Sequence, residues 1–295
     1  MAVILDCRAV AARYLAWAAR EIAVMRRKPR LATLLLRPDL HPASRQYRDL
    51  IAKDAARLGV VADGVEAADE RELLSSVRRL NADRGTTGLM LFYPLGCGLR
   101  DEDVMDLVSP LKDVEGLHST NLGYLIKYKR FLDEARAIKC VVPATAKAAV
   151  KLLQAYPDIR LEGAFVTIIN NSMRVGKPLG LMLENLGATV VKCYDKTPRA
   201  VLEECVRRAD GVVTAVPDPS FRLDANWLKP GAAFVDVSFQ GNADHAAVAA
   251  RAAFSTAPDN RLGALTRAMT FVNLVYCAKN APLRRPARPR DAVLG

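Results

Sequence analysis

Short, nearly continuous apolar runs recur along this chain, at residues 31–36, 88–94, 164–169, 188–194, 211–216 and 232–237. Runs of this length without a polar face predict strands buried on both sides, as in a parallel sheet. Residues 60–65 read as a further strand. Between the runs, apolar positions return every three to four residues, the period of helices packed by one face. Residues 6 to about 27 set Val10, Tyr14, Trp17 and Ala18 toward one side. Ser44 caps a helix that runs to Leu58 and stops at Gly59. Further helices are predicted over 70–81, 101–108, 143 to about 156, 176–187 and 266–278. Residues 111–142 are less regular and carry several charges.

This alternation predicts an α/β protein of two domains. Residues 1–148, with 266–295, form an N-terminal α/β domain. Residues 149–265 form a Rossmann-type, doubly wound parallel sheet, with the hinge near Tyr156 and Pro157. The final helix is expected to return and pack on the first domain.

The middle of the chain carries the clearest chemistry. A buried strand over 164–169 runs into the polar turn Asn170-Asn171-Ser172, and Gly176 and Pro178 open the next helix. A second strand follows, closed by Asp195. Strand, tight turn, helix and strand with an acid at its tip is the layout of a dinucleotide-binding unit. Free N–H groups at the helix start attract a pyrophosphate. A carboxylate at the second strand's end accepts from ribose hydroxyls and repels a 2′-phosphate, so Asp195 favours NAD over NADP. Asn171, Ser172, Arg174, Val175 and Gly176 are the candidate phosphate-turn residues. Ala215, Val216 and Pro217 end a strand expected to pass under the adenosine. The G-x-G-x-x-G fingerprint is absent, which leaves open a nucleotide-free unit with a solvated Asp195.

Composition narrows the classes. The chain has 295 residues, 51% of them hydrophobic, enough for a large core. No apolar run reaches the roughly 20 residues that span a bilayer, and no membrane partner is expected. The N-terminus lacks the layout of a secretory signal, and the six cysteines are scattered without a C-x-x-C pair, as in a reduced, cytoplasmic protein. The net charge of +11 is dispersed, and aromatics are only 6% of the chain. That argues against a nucleic-acid partner; a basic cleft would draw anionic substrates and cofactors instead. The one basic cluster, at 284–290, reads as a solvated tail. His41 and His118 are isolated loop histidines without ligand spacing, so no metal site is expected.

Several ordered segments together resemble the methylenetetrahydrofolate dehydrogenase/cyclohydrolase family. Ser44-Arg-Gln-Tyr47 matches the start of its S-x-x-Y-x-x-x-K-x-K helix, and Gly88-Leu-Met-Leu-Phe-Tyr-Pro94 its G-I-L-V-Q-L-P strand. Lys112-Asp-Val-Glu-Gly116 is similar to K-D-V-D-G, Pro143-Ala-Thr145-Ala to P-C-T-P, and Ser172-Met-Arg-Val-Gly-Lys-Pro178 to S-x-x-V-G-x-P. The resemblance covers nearly the whole chain. It implies a tetrahydrofolate-derived substrate, a nicotinamide cofactor and a homodimer.

The departures are informative. The first motif lysine is Ile51, the second remains as Lys53, and the glutamine of Q-L-P is Phe92. The acid of K-D-V-D-G is Glu115, and Asp259-Asn260 replaces the glycine pair of the late loop. The family's lysine and glutamine are associated with the cyclohydrolase step, and neither isoleucine nor phenylalanine can polarise water. The pattern resembles the family's monofunctional, NAD-dependent branch, in agreement with Asp195. The resemblance implies that Tyr47 orients the folate ring, Lys53 meets a carboxylate or the folate tail, and Glu115 accepts from pterin N–H groups. Phe92 and Thr145 would line the substrate side, with Thr145 and Thr266 bordering the nicotinamide. Asp113 reads as structural. Two other readings stay open: a bifunctional dehydrogenase/cyclohydrolase, and, from the altered 258–266 loop, a non-catalytic binding relative.

Overall fold

A computed structural model describes residues 2–281; Met1 and the segment carrying the 284–290 basic cluster lie outside the described residues. The chain opens with β1 (Val3–Ile4) and α1 (Cys7–Ala23). Asp6 caps α1, accepting from the Arg8 and Ala9 N–H groups at 3.0 and 2.9 Å. A three-stranded parallel sheet follows, of β2 (Arg30–Leu36), β3 (Val61–Ala67) and β4 (Gly88–Leu91), in the order β3-β2-β4. Its crossovers are α2 (Pro42–Leu58) and α3 (Glu70–Ala82). The short helix α4 (Asp101–Met105) then leads to α5 (Ser119–Ile126), the β5 (Phe131–Asp133)–β6 (Ile138–Lys139) hairpin and α6 (Ala144–Leu153).

The second sheet contains β7 (Phe165–Ile169), β8 (Thr189–Cys193), β9 (Gly211–Thr214), β10 (Ala233–Asp236) and β11 (Phe254–Ser255), with crossovers α7 (Gly176–Glu184), α8 (Arg199–Arg208) and α9 (His245–Arg251). All its strands are parallel, in the order β1-β11-β10-β9-β7-β8. The order reverses between β7 and β9, and ligands of open α/β sheets bind in the crevice outside the carboxyl ends at such a point.

α10 (Gly263–Asn280) closes the chain. Its Phe271, Leu274, Val275 and Cys277 are buried with Leu31, Leu35, Met90 and Ile51 of the first unit. Its Leu265, Ala268, Met269 and Val272 pack with Val10, Ala11 and α6. The returning helix therefore belongs to both cores.

The structure differs from the expectations in several places. Val3–Ile4 pairs with Phe254–Ser255, so the first residues join the sheet expected from residues 149–265. Two exposed residues are too few to show a period. Residues 111–142 hold a helix and a hairpin. The helix expected over 101–108 ends at Met105, and α2 starts at Pro42 rather than Ser44. α10 starts at Gly263, three residues before Thr266, and Leu262 at its N-cap position offers no capping side chain.

Candidate active site

The Lys112–Gly116 segment runs along the open edge of β4, with the Leu89 N–H donating to the Lys112 carbonyl at 2.7 Å. Each residue has a distinct task. The Lys112 ammonium donates to the Leu80, Asn81 and Asp83 carbonyls at 2.8, 2.6 and 2.7 Å, closing the end of α3. The Asp113 carboxylate accepts from the Gly116 and His118 N–H groups and the Asn121 amide, at 2.8, 2.9 and 3.1 Å. It folds the loop, the structural role expected of it. Gly116 has φ +72°, and a Cβ there would lie 2.4 Å from the Val142 carbonyl carbon. The Asn273 amide of α10 donates to the Val114 and Val142 carbonyls at 2.8 and 3.0 Å. The Ala144 N–H at the start of α6 donates to the Glu115 carbonyl at 3.2 Å. The Glu115 backbone is thus held from three elements.

Its side chain is desolvated, which pushes the carboxyl up to about 8, while the Arg174 guanidinium and the Leu91 N–H pull the other way. Tyr47 stands edge-on to Phe92, ring centroids 6.5 Å apart and planes at 85°. Burial raises its phenol, with Arg267, Glu115, Arg174 and Asp54 the charges that act on it. Tyr47 and Phe92 therefore meet beyond the carboxyl end of β4, near enough to Glu115 for its charge to act on the Tyr47 phenol. Ile51 is fully buried one turn after Tyr47. Lys53 is exposed on another side of α2, outside this group, and the structure gives it no place in the site. Six residues of helix rotate it well away from Tyr47.

On the other side lies the turn after β7. The Asn170 side-chain oxygen accepts from the Ser172 N–H, the Ser172 hydroxyl and the Gly176 N–H at 2.9, 2.8 and 2.9 Å. Its amide donates to the Ala215 carbonyl at 2.7 Å, joining the ends of β7 and β9. A Cβ on Gly176 would sit 2.0 Å from the Asn170 carbonyl oxygen. The expectation of free donors at the helix start needs correcting here, since Val175, Gly176 and Lys177 all donate within the turn. Asn171 is half-buried, Ser172 exposed. Arg174 also departs from its expected place. Its Nη1 crosses to the first unit and donates to the Tyr93 carbonyl at 2.6 Å.

Asp195 stands exposed beyond β8, 3.4 Å from the Lys196 ammonium. Ala215 and Val216 are half-buried and Pro217 exposed. Val216 is clamped by Asn242, which accepts from its N–H at 2.9 Å and donates to its carbonyl at 3.0 Å. Thr145 and Thr266 are half-buried in the first turns of α6 and α10, and no side chain caps either helix. The turn, the strand ends at the switch point and the acid at the tip of β8 fit a dinucleotide. His118 caps α5, accepting from the Thr120 N–H at 2.9 Å. The substituted Asp259 and Asn260 bind the start of α1: the Asn260 amide donates to Asp6 at 2.8 Å, and Arg8 donates to the Asp259 carbonyl.

Two further features were missed. Asp54 is buried on α2 and accepts from the Arg267 Nε of α10 at 2.7 Å. An acid at the helical spacing of Tyr47, Ile51 and Ala55 was a readable signal. The second is Lys147, half-buried in α6 with its ammonium pushed down to about 7 by desolvation, which donates to Asn273 at 3.1 Å.

The chain matches two family profiles. Residues 5–115 match "Tetrahydrofolate dehydrogenase/cyclohydrolase, catalytic domain" and residues 143–282 match its "NAD(P)-binding domain". The bifunctional protein FolD of Heliobacterium modesticaldum is 33% identical over 293 residues, 93% of this chain and 96% of that protein. A 5,10-methylenetetrahydrofolate dehydrogenase of the silkworm, Bombyx mori, superposes with TM-score 0.84 at 29% identity, covering 96% of this chain and 100% of that one. The Trypanosoma brucei methylenetetrahydrofolate dehydrogenase-cyclohydrolase, complexed with NADP cofactor and inhibitor, gives TM-score 0.84 at 26% identity over 96% and 99%. With both profiles in chain order on the expected fold, this chain belongs to the tetrahydrofolate dehydrogenase/cyclohydrolase family.

Proposed function

We propose that this protein is a cytoplasmic, homodimeric NAD-dependent 5,10-methylenetetrahydrofolate dehydrogenase that releases the 5,10-methenyl product without hydrolysing it. The observation that carries the reading is the Tyr47–Phe92 contact at the end of β4, near Glu115, with Ile51 buried at the family's lysine position and Arg174 reaching the Tyr93 carbonyl from the turn after β7. The substrate's nitrogen lone pair expels the hydride, so no strong general base is required. NAD, when bound, supplies the acceptor for that hydride. The residues of this chain bind and align. Tyr47, with the buried Phe92 packed edge-on against its ring, orients the flat pterin, and Glu115 accepts from the pterin's N–H edge. Thr145 and Thr266 border the nicotinamide end, and Asp195 receives the ribose hydroxyls. The buried Ile51 at the family's lysine position cannot activate water, which supports a dehydrogenase without the hydrolytic step.

The test is spectroscopic. Purified protein with methylenetetrahydrofolate and NAD should form NADH, and methenyltetrahydrofolate should decay no faster than in buffer. Binding of both ligands without NADH formation would reject catalysis. One observation favours the second reading, a bifunctional NADP-using enzyme: the Lys196 ammonium beside Asp195 offsets its charge and could meet a 2′-phosphate. A larger kcat/KM with NADP, together with accelerated methenyl decay, would establish it.

A further inference from the structure

Arg174 sits in the turn that should serve the cofactor, yet its guanidinium lies elsewhere. It reaches 81 positions back along the chain to the Tyr93 carbonyl, at 2.6 Å, just past the end of β4. That brings a permanent cation to the end of β4, against the Tyr93 backbone and near enough for Glu115, Tyr93 and Tyr47 to register its charge. The turn itself is closed without the Arg174 side chain, by Asn170 and Ser172.

We infer that Arg174 is a positioning residue of the substrate cleft, holding the Glu115 carboxylate ready for the pterin N–H edge across the junction of the two units. The inference rests on the folate reading proposed above. Its physical basis is that a desolvated carboxyl group prefers to be protonated, and protonation turns one of the two acceptor oxygens of a bidentate pair into a donor that opposes an N–H group. Several groups face Glu115. Arg174, from the β7–α7 turn, and the Leu91 N–H, on β4, favour the carboxylate; Asp113, two residues before it, opposes it. The Tyr93 and Tyr47 phenols, after β4 and on α2, are neutral; Arg267 of α10 and Asp54 of α2 are beside Tyr47 and offset each other. Arg174 is first among the groups that favour the charged form. An arginine suits this task because it cannot lose its proton in a dry site.

The experiment is calorimetric binding of tetrahydrofolate, without dinucleotide, between pH 6.5 and 9.5. In the wild type, affinity should rise with pH toward a midpoint near 8. Arg174→Met should move that midpoint up by about one to three units and weaken binding at pH 7 by about tenfold or more. Arg174→Lys, which keeps the charge, should restore most of it. Glu115→Gln should flatten the profile, and adding Arg174→Met to it should produce no further pH shift. NAD affinity should stay within about twofold in Arg174→Met. A wild-type midpoint retained in Arg174→Met, or a loss confined to NAD binding, would return Arg174 to the cofactor turn and overturn the inference alone. A wild type that binds no tetrahydrofolate at any pH would remove the folate reading and this inference with it.

Discussion

The Arg267 Nε on α10 donates to the Asp54 carboxylate on α2 at 2.7 Å, beside the phenol of Tyr47. Both partners are largely buried, with side chains 16% and 9% exposed. The pair fastens the returning helix to the helix that carries Tyr47. Breaking one partner of a buried pair leaves an uncompensated charge, at a cost of about 3 kcal/mol. Arg267→Met should therefore lower the unfolding free energy by about that much, and the Asp54→Leu/Arg267→Met double variant by less. Denaturant unfolding measures both. Equal losses in the single and double variants would mean that packing, not charge, is at stake.

Glu115 gives stability a pH dependence. Its carboxyl group is raised from 4.5 to about 8 in the fold, so folding favours the protonated form. The favourable contribution is full below about pH 4.5 and is lost as pH rises through about 8. Glu115→Gln, neutral throughout, should gain on the wild type by a few kcal/mol between pH 5 and 9, at about 1.4 kcal/mol per unit. Unfolding curves at both pH values test this, and parallel stabilities would show that the carboxyl is solvated. Lys147 should act in the opposite direction. Its ammonium is pushed down from 10.5 to about 7, so its desolvation penalises the fold fully below about pH 7 and the penalty is relieved as pH rises from there toward 10.5.

On the proposed reading, Asp195 selects the cofactor without supporting the fold. It is exposed, and its neighbour is the equally exposed Lys196. Asp195→Ser should leave stability within about 0.5 kcal/mol. It should lower the NAD-to-NADP ratio of kcat/KM by about tenfold, one charge–phosphate repulsion in a solvated setting. An unchanged ratio would take the choice of cofactor away from this side chain.

Much of the fold was legible because strands buried on both faces are unbroken apolar runs, as in β2, β7 and β10. The illegible parts lack a period. β1 and β11 are two residues each. The loop after β4 is organised by the side chain of Asp113 rather than by any pattern of apolar residues. The start of α10 was misplaced because Leu262 gives no cap to recognise. In the candidate site, the segments containing Tyr47 and Phe92 do bring the two rings together, with Glu115 near enough for its charge to act on the Tyr47 phenol. Lys53 came from the same helical segment, but helical rotation carries it to solvent. The path of Arg174 to the Tyr93 carbonyl was not legible, because spacing locates a backbone turn and not the direction in which a long side chain leaves it.

The most direct test of the account is the product balance of a single NAD-driven reaction with 5,10-methylenetetrahydrofolate. The account predicts one methenyltetrahydrofolate for each NADH formed, persisting at the buffer rate of decay, with NADP a poorer partner. Formyl product appearing in step with the reduced nucleotide, or a faster reaction with NADP, would contradict it.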